Sequence, residues 1–409
     1  MKKEHIDRVG IEFYSRWKEY KILELGKVVT GNTPSSKFPE EFGNVMPFVT
    51  PTDYRNYNKW IFVADRNLSD KGINKLKSRV LPANSILVTC IGSDMGKIAI
   101  NKIPVVTNQQ INSIITNEKV NPDFLYYKLV SCYDVLRTYG EAGTAVPIVN
   151  KGDFENIEIT IPSDLTEQTA IANILTSLDD KIDLLHRQNK TLEQLAETLF
   201  RQWFVEEAEE SWESKSLGQV FDIGIGRTPP RKEQHWFTLN SNDVKWVSIK
   251  DMGTSGLYID TVSEYLTQEA INQFSVPVIP ENTVMLSFKM TIGRLAISTE
   301  TMVSNEAIAH FKNKEGSFLF PEFLYLFLKT YSWLELGSTS SIVESINSQM
   351  IKEIVMIIPD KEKLINFKKL IKPYFDKIKS NQTQIRSLTQ LRDTLLPKLM
   401  SGEVRVEMN

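Results

Sequence analysis

Cysteine is scarce in this chain of 409 residues: Cys90 and Cys132 are its only two, far apart and each in apolar surroundings. That excludes a disulfide framework and a thiolate metal site, and leaves two buried, reduced thiols as the expectation. Histidine is nearly as rare. His5, His186, His235 and His310 are scattered, with no cysteine, histidine or carboxylate at ligand spacing, so no metal centre is expected. Long apolar runs are missing as well, since nothing approaches the roughly 18 residues a membrane span needs. Residues 1–10 carry Lys2, Lys3, Glu4, Asp7 and Arg8 around no apolar core. Neither membrane insertion nor export is therefore expected, and the chain is placed in the cytoplasm.

Catalytic signatures are absent too. The stretch from Gly92 to Lys97 is one residue short of a phosphate loop and continues with Ile98 where magnesium needs a hydroxyl. Gly224-Ile225-Gly226 lacks the third glycine and the flanking elements of a dinucleotide fingerprint. No Asn/Asp-Pro-Pro-aromatic motif and no spaced carboxylate and lysine set is found. The chain is expected to make and break no bonds.

What is present is an internal duplication, spaced near 197 residues. Leu25-Gly26 recurs as Leu217-Gly218, Thr33-Pro34 as Thr228-Pro229, and Val49 with Asp53 as Val247 with Asp251. Pro82-Ala83-Asn84 returns as Pro280-Glu281-Asn282, Gly96-Lys97 as Gly293-Arg294, Asn108 as Asn305, and Phe124-Leu125-Tyr126 as Phe323-Leu324-Tyr325. Each copy has a front of short β-branched runs after Pro-x-Asn turns, such as 85–89 and 283–287, with one helix expected over 122–133 and 321–333. Each front is followed by a helical tail.

In the first tail Asp164 and Glu167 make a capping-box-like start. Leu175, Leu178, Ile182, Leu185, Asn189, Leu192, Ala196 and Leu199 then alternate at spacings of three and four, and in the second tail Ile371, Tyr374, Ile378, Asn381, Ile385, Leu388, Arg392 and Leu395 do the same. Residues 163–213 hold 4 Lys/Arg against 12 Asp/Glu, whereas residues 361–409 hold 11 against 5. Opposite charges favour pairing within the chain, and an antiparallel register with Asn189 opposite Asn381 gives each apolar seam residue between Ile182 and Leu199 an apolar partner. The expected fold is α+β. Two repeated α/β recognition domains, 1–162 and 214–360, are separated by two long helices forming an antiparallel coiled coil, with 163–213 as the first helical region and 361–409 as the second.

Binding chemistry sits at matching points of the two fronts. The loop with Thr30, Asn32, Thr33, Ser35 and Lys37, and its copy with Arg227, Thr228, Arg231 and Lys232, combines glycine for close backbone approach with groups that bond phosphates and base edges. An ordinary polar turn is the competing reading. Thr52 and Arg55, with Asp53, and Lys250, with Asp251, follow a strand end, where they either read bases or solvate the strand. Lys97 and Arg294 stand straight after a glycine, with Lys289 nearby, and suit phosphate contact. Asn108, Gln109 and Asn305 suit adenine, with a buried Asn tying a loop as the equal alternative. Phe200, Trp203, Phe204 and Trp212 lie beyond the seam and are expected to form an exposed apolar partner interface.

Two segments are similar to the helical regions of the specificity subunits of type I restriction-modification systems. One runs from Glu167-Gln168-Thr169-Ala170-Ile171-Ala172 through Leu178-Asp179-Asp180-Lys181-Ile182 to Phe200, Trp203 and Phe204, and the other from Leu391 to Glu403. The fronts resemble that family's target-recognition domains, so the resemblance covers nearly the whole chain. It implies a non-catalytic subunit that reads a split target in double-stranded DNA, one half-site per front, with an unread spacer between. It further implies two modification subunits using S-adenosylmethionine and two restriction subunits using ATP and magnesium, these cofactors belonging to the partners and none to this chain. Glu306 stands where the first copy has Gln109, so amide readout does not transfer there. A free-standing two-headed DNA-binding regulator is the alternative.

Overall fold

The computed structural model describes residues 17–55, 59–92, 94–133, 148–333 and 346–406. The chain divides into two compact units, Met1–Ile182 with Ser387–Asn409, and Asp183–Arg386.

In the first unit a five-stranded sheet runs in the order Gly26–Thr30, Ile111–Thr116, Ile86–Thr89, Ile98–Asn101, Trp60–Ile61. Neighbours are antiparallel except the last pair, which is parallel. A smaller four-stranded sheet orders Phe42–Gly43, Asn67–Leu68, Met46–Val49 and Val106–Thr107. The second unit repeats both orders: Phe221–Ile225, Ile308–Asn313, Val284–Ser287, Leu295–Ser298, Tyr258–Ile259, and then Phe237–Thr238, Glu264–Leu266, Val244–Val247, Val303–Ser304. The duplication seen in the sequence is a duplication of topology. The Pro-x-Asn turns work because Asn84 and Asn282 adopt φ of 65° and 59°, a left-handed conformation that asparagine tolerates better than most residues.

The helix of each front is shorter than its apolar pattern, spanning Pro122–Ser131 and Pro321–Thr330. Asn121 caps the first of these by accepting from the Phe124 N–H, with proline in the first turn. The strands Trp17–Lys21 and Glu158–Pro162 pair antiparallel and bring the ends of the first front together, as Glu213–Ser216 and Val355–Ile358 do for the second.

The two long helices are Leu165–Arg201 and Lys361–Ser401. In the first unit their pairing shows in Arg392 bonding Asp179 at 2.9 Å and Arg405 reaching the buried Glu167 at 2.6 Å. The Asp164 carboxylate accepts from the Thr166 N–H at the helix start. In the second unit the Asn381 side-chain amide donates to the Asn189 oxygen at 2.8 Å, the register expected from the seams. In the second unit Asn189 meets Asn381 and Phe200 meets Phe367, and in the first Asp179 meets Arg392 while Glu167 meets Arg405 just past the second helix, so rising numbers on one helix meet falling numbers on the other and the pairing is antiparallel. Leu175, Ile182, Leu185, Ala196, Ile371 and Ile378 are buried along the seam. Each buried Leu or Ile contributes about 1.5–3 kcal/mol relative to exposure.

Two expectations need correction. Phe200, Phe204 and Trp212 are buried and Trp203 half-buried, inside a core shared with Phe323 and Phe367, so they form no exposed partner interface. The chain makes a π-helical turn at Gln202–Glu206, and ring pairs at 5.3 Å (Phe200–Phe323) and 4.7 Å (Phe204–Phe367) account for their burial. Both cysteines are free, but only Cys90 is buried, its thiol pushed up to about 12 by desolvation, while Cys132 is half-buried. Among the described residues no helix is long and apolar enough to cross a membrane, and no cluster of His, Cys, Asp or Glu could hold a metal.

Candidate nucleic-acid interface

Sheet order decides where the candidate loops go. Because Gly26–Thr30 and Ile86–Thr89 both run antiparallel to Ile111–Thr116, the ends of the first two strands meet the start of the third. The loops after Thr30 and Thr89 and the turn before Ile111 therefore leave the sheet on one rim. The turn after Val49 joins them, since the Asn108 N–H donates to the Val49 carbonyl at 3.0 Å. The second unit builds the same rim, with the Asn305 N–H on the Val247 carbonyl at 3.1 Å.

The rim is tightly cross-linked. Gly31 and Gly226 donate to the Ile111 and Ile308 carbonyls, each at 3.1 Å. A Cβ on Gly31 would lie 2.1 Å from the Asn108 carbonyl oxygen, and one on Gly226 would lie 2.2 Å from that of Asn305, so only glycine allows this approach. The Thr33 hydroxyl donates to the Gln109 side chain at 2.6 Å, and Thr228 bonds Glu306 in the same place. The Gly-x-Thr-Pro loop is thus held against the 108–110 turn in the first copy and the 305–307 turn in the second.

Several polar candidates have structural partners. Asn108 is buried, its amide donating to the Gln110 side chain at 2.9 Å and its oxygen accepting the Gln110 N–H at 3.1 Å, which is the loop-tying reading. Asn305 likewise accepts the Ala307 N–H at 3.1 Å. Asp53 and Asp251 are buried and organise the turns after the strand, accepting from the backbone of Thr50 and Asp65 and of Ser248 and Ser263. Their carboxylates are not presented to a ligand. The Arg294 guanidinium donates to the Ile249 carbonyl at 2.7 Å and covers Gly253, so Arg294 braces the 249–254 helix, whereas Lys97 is half-exposed and pairs with Asp94 at 2.6 Å.

The remaining candidates face solvent. Asn32, Ser35, Lys37, Thr52 and Gln109 are exposed in the first unit, with Thr30 and Thr33 partly so; the side chain of Arg55 and all of Ser93 lie outside the described residues. In the second unit Arg227, Arg231, Lys232, Lys250 and Lys289 are exposed and Thr228 partly so. Arg231 is fixed by two bonds to Glu264, at 3.0 and 2.9 Å, with its guanidinium 4.0 Å from the Phe237 ring centre. One scaffold therefore presents mainly hydroxyls and amides in the first unit and mainly cations in the second.

Two features escape a reading of the chain alone. Thr89 and Ser287 each bond within the basic turn, accepting the N–H of Lys97 and of Arg294 at 2.9 and 3.1 Å, and their equivalence in the duplication was a usable signal. An arginine also ties down the glycine loop in both copies, from outside the loop in the first and from within it in the second. Arg79 donates to the Thr30 carbonyl, whereas Arg227 reaches out from its loop to the Phe274 carbonyl at 2.5 Å, and no sequence equivalence links the two.

Comparison with known proteins agrees with this geometry. The family described as "Type I restriction modification DNA specificity domain" matches residues 14–194 and again 209–390. The MjaIX specificity subunit of Methanocaldococcus jannaschii is 29% identical over 428 residues, covering 96% of this chain and 94% of that one. The HindI specificity subunit of Haemophilus influenzae is 25% identical and covers 95% and 100%. In fold, the chain is similar to the crystal structure of a type I restriction-modification S subunit from M. genitalium, with a TM-score of 0.58 at 17% identity over 98% of this chain and 99% of that one.

Proposed function

The chain belongs to the type I restriction-modification DNA specificity family, and from that premise we propose that it reads a two-part target in double-stranded DNA, one half-site on each rim, with an unread spacer between. As a specificity subunit it supplies sequence recognition and no catalysis. The observation that carries the reading is that one cross-linked rim occurs twice with different exposed side chains. A fixed scaffold with exchangeable contacts is what two different half-sites require. In this reading Lys37, Lys97, Lys232, Lys250 and Lys289 contact phosphate, while Asn32, Gln109, Arg227 and Arg231 are offered to base edges. Modification and restriction subunits, two of each, assemble on the chain in the cytoplasm and bring the S-adenosylmethionine, ATP and magnesium.

Burial of the Phe200 cluster removes exposed aromatic surface as an argument against a free-standing regulator, so family membership is what separates the two readings. Methylation mapping by long-read sequencing of the source genome, with and without the gene for this chain, tests the proposal. A split adenine motif that disappears with the chain is expected. A methylation pattern unchanged by the deletion sinks it.

A further inference from the structure

The turn between the strands Val284–Ser287 and Leu295–Ser298 holds an apolar side chain where the duplication has none. In the first unit the turn after Thr89 uses Gly92 at φ 81° and Gly96 at φ 89°, and in the second it uses Met290 at φ 62° and Gly293 at φ 86°. Matching hydrogen bonds fix the alignment. Thr89 donates to the Asp94 carbonyl as Ser287 donates to that of Thr291, and the N–H groups of Gly96 and Gly293 return to the carbonyls of Thr89 and Ser287. The second turn is one residue shorter, and counted from Ser287 and Thr89 Met290 stands third, as the left-handed Gly92 does; the Thr291 N–H closes a three-residue turn around Met290 on the Lys289 carbonyl at 2.7 Å.

A methionine here is unfavourable in its backbone, and its side chain is 93% exposed. Ile292 beside it is 45% exposed, whereas Met95 at the same point of the first turn is 1% exposed. The first copy folds its apolar residue inward, and the second holds two outward on a short, internally bonded turn. Backbone strain retained at a surface tip points to a job at that tip. The turn lies on the rim with exposed Lys289 and Lys250.

We propose that Met290 is an apolar wedge that enters the second unit's half-site and partly unstacks a base step there. The proposal rests on the DNA-recognition reading above and adds a deformation at one half-site only. An unbranched apolar side chain next to Lys289, on a rim that also carries Lys250, suits this, because the cations hold the phosphates while the thioether replaces stacking contacts.

The test uses the full chain with duplexes it selects from a randomised pool, each adenine of the selected sequence replaced in turn by 2-aminopurine, whose fluorescence rises on unstacking. A rise at one step of one half-site is expected, with none in the other. Met290→Ala and Met290→Gly should abolish the rise and weaken binding on the order of tenfold, while Met290→Leu keeps both. Met290→Gly should also melt at or above the temperature of the unmodified chain, because it removes the strained residue. Unchanged fluorescence and affinity in the Ala and Gly variants overturn the wedge and leave DNA recognition standing, and so does a Leu variant as defective as Ala. A full chain that selects no duplex at all overturns the recognition reading, and the wedge with it.

Discussion

His310 is fully buried in the strand Ile308–Asn313, neither ring nitrogen has a hydrogen-bond partner, and its ring lies over Gly224 of the neighbouring strand. The first copy has Ser113 opposite Val29 at this point, so the bulk has changed strands. Desolvation, with help from Lys312 and against Asp222, lowers the imidazole to about 4. The unfolded chain binds the proton near pH 6.5 and the folded chain does not, so stability from this group is complete above about 6.5 and falls as pH drops towards 4. The loss amounts to about 3 kcal/mol. His310→Phe should remove it, and denaturant unfolding of both proteins between pH 4 and 7 checks this; equal pH slopes would refute it. Side-chain roles of this kind are the least legible part of the chain. Asn108 and Asp53 have the chemistry of readers and also of local turn-tying, which the chain alone leaves open and the bonds to Gln110 and Thr50 decide, whereas only the tertiary fold gives the Arg294 guanidinium to Ile249.

The helices were far more readable, because spacing and charge each limit the pairing and both lead to one register. The Asn381–Asn189 bond lies where the seams put it, and it carries its own consequence. Asn381 is fully buried and its oxygen has no partner, so the pair holds the register at a cost in stability. Asn381→Leu alone leaves Asn189 facing an apolar group and should destabilise by about 1–2 kcal/mol. Replacing both by Leu should recover that loss or exceed wild-type stability, which a double-mutant cycle by denaturant unfolding measures. Additive single effects would mean the two amides do not act as a pair. What the spacing could not show is what covers the aromatic residues past the seam. Phe200 and Phe204 look like an open face until Phe323 and Phe367, more than 120 and 160 residues further on, are packed against them.

At the scale of the whole molecule, each recognition module enters and leaves through a pair of strands, and that governs how the chain can be altered. Residues 214–360 begin and end in the paired strands Glu213–Ser216 and Val355–Ile358, with Glu213 opposite Ile358, so the module can be replaced without bridging a gap. Its core does not close on itself alone. Phe320, Phe323 and Leu324 share one buried cluster with Phe200, Phe204 and Phe367 of the helices. A donor module from another family member must bring apolar side chains to those three positions. Truncating Phe323 to alanine, by comparison, should cost about 3–5 kcal/mol. With a matched donor, the exchange should give a complex whose methylation motif changes in one half-site and keeps the other, because the strands and turns of the first rim, with the Ile148–Val149 segment bonded to Ile91 and Cys90, all belong to the first unit. The readout is sequencing of methylated DNA from cells carrying the exchanged chain and its partner subunits. If both half-sites change, the rims do not read independently, and the duplication of topology is not a duplication of function.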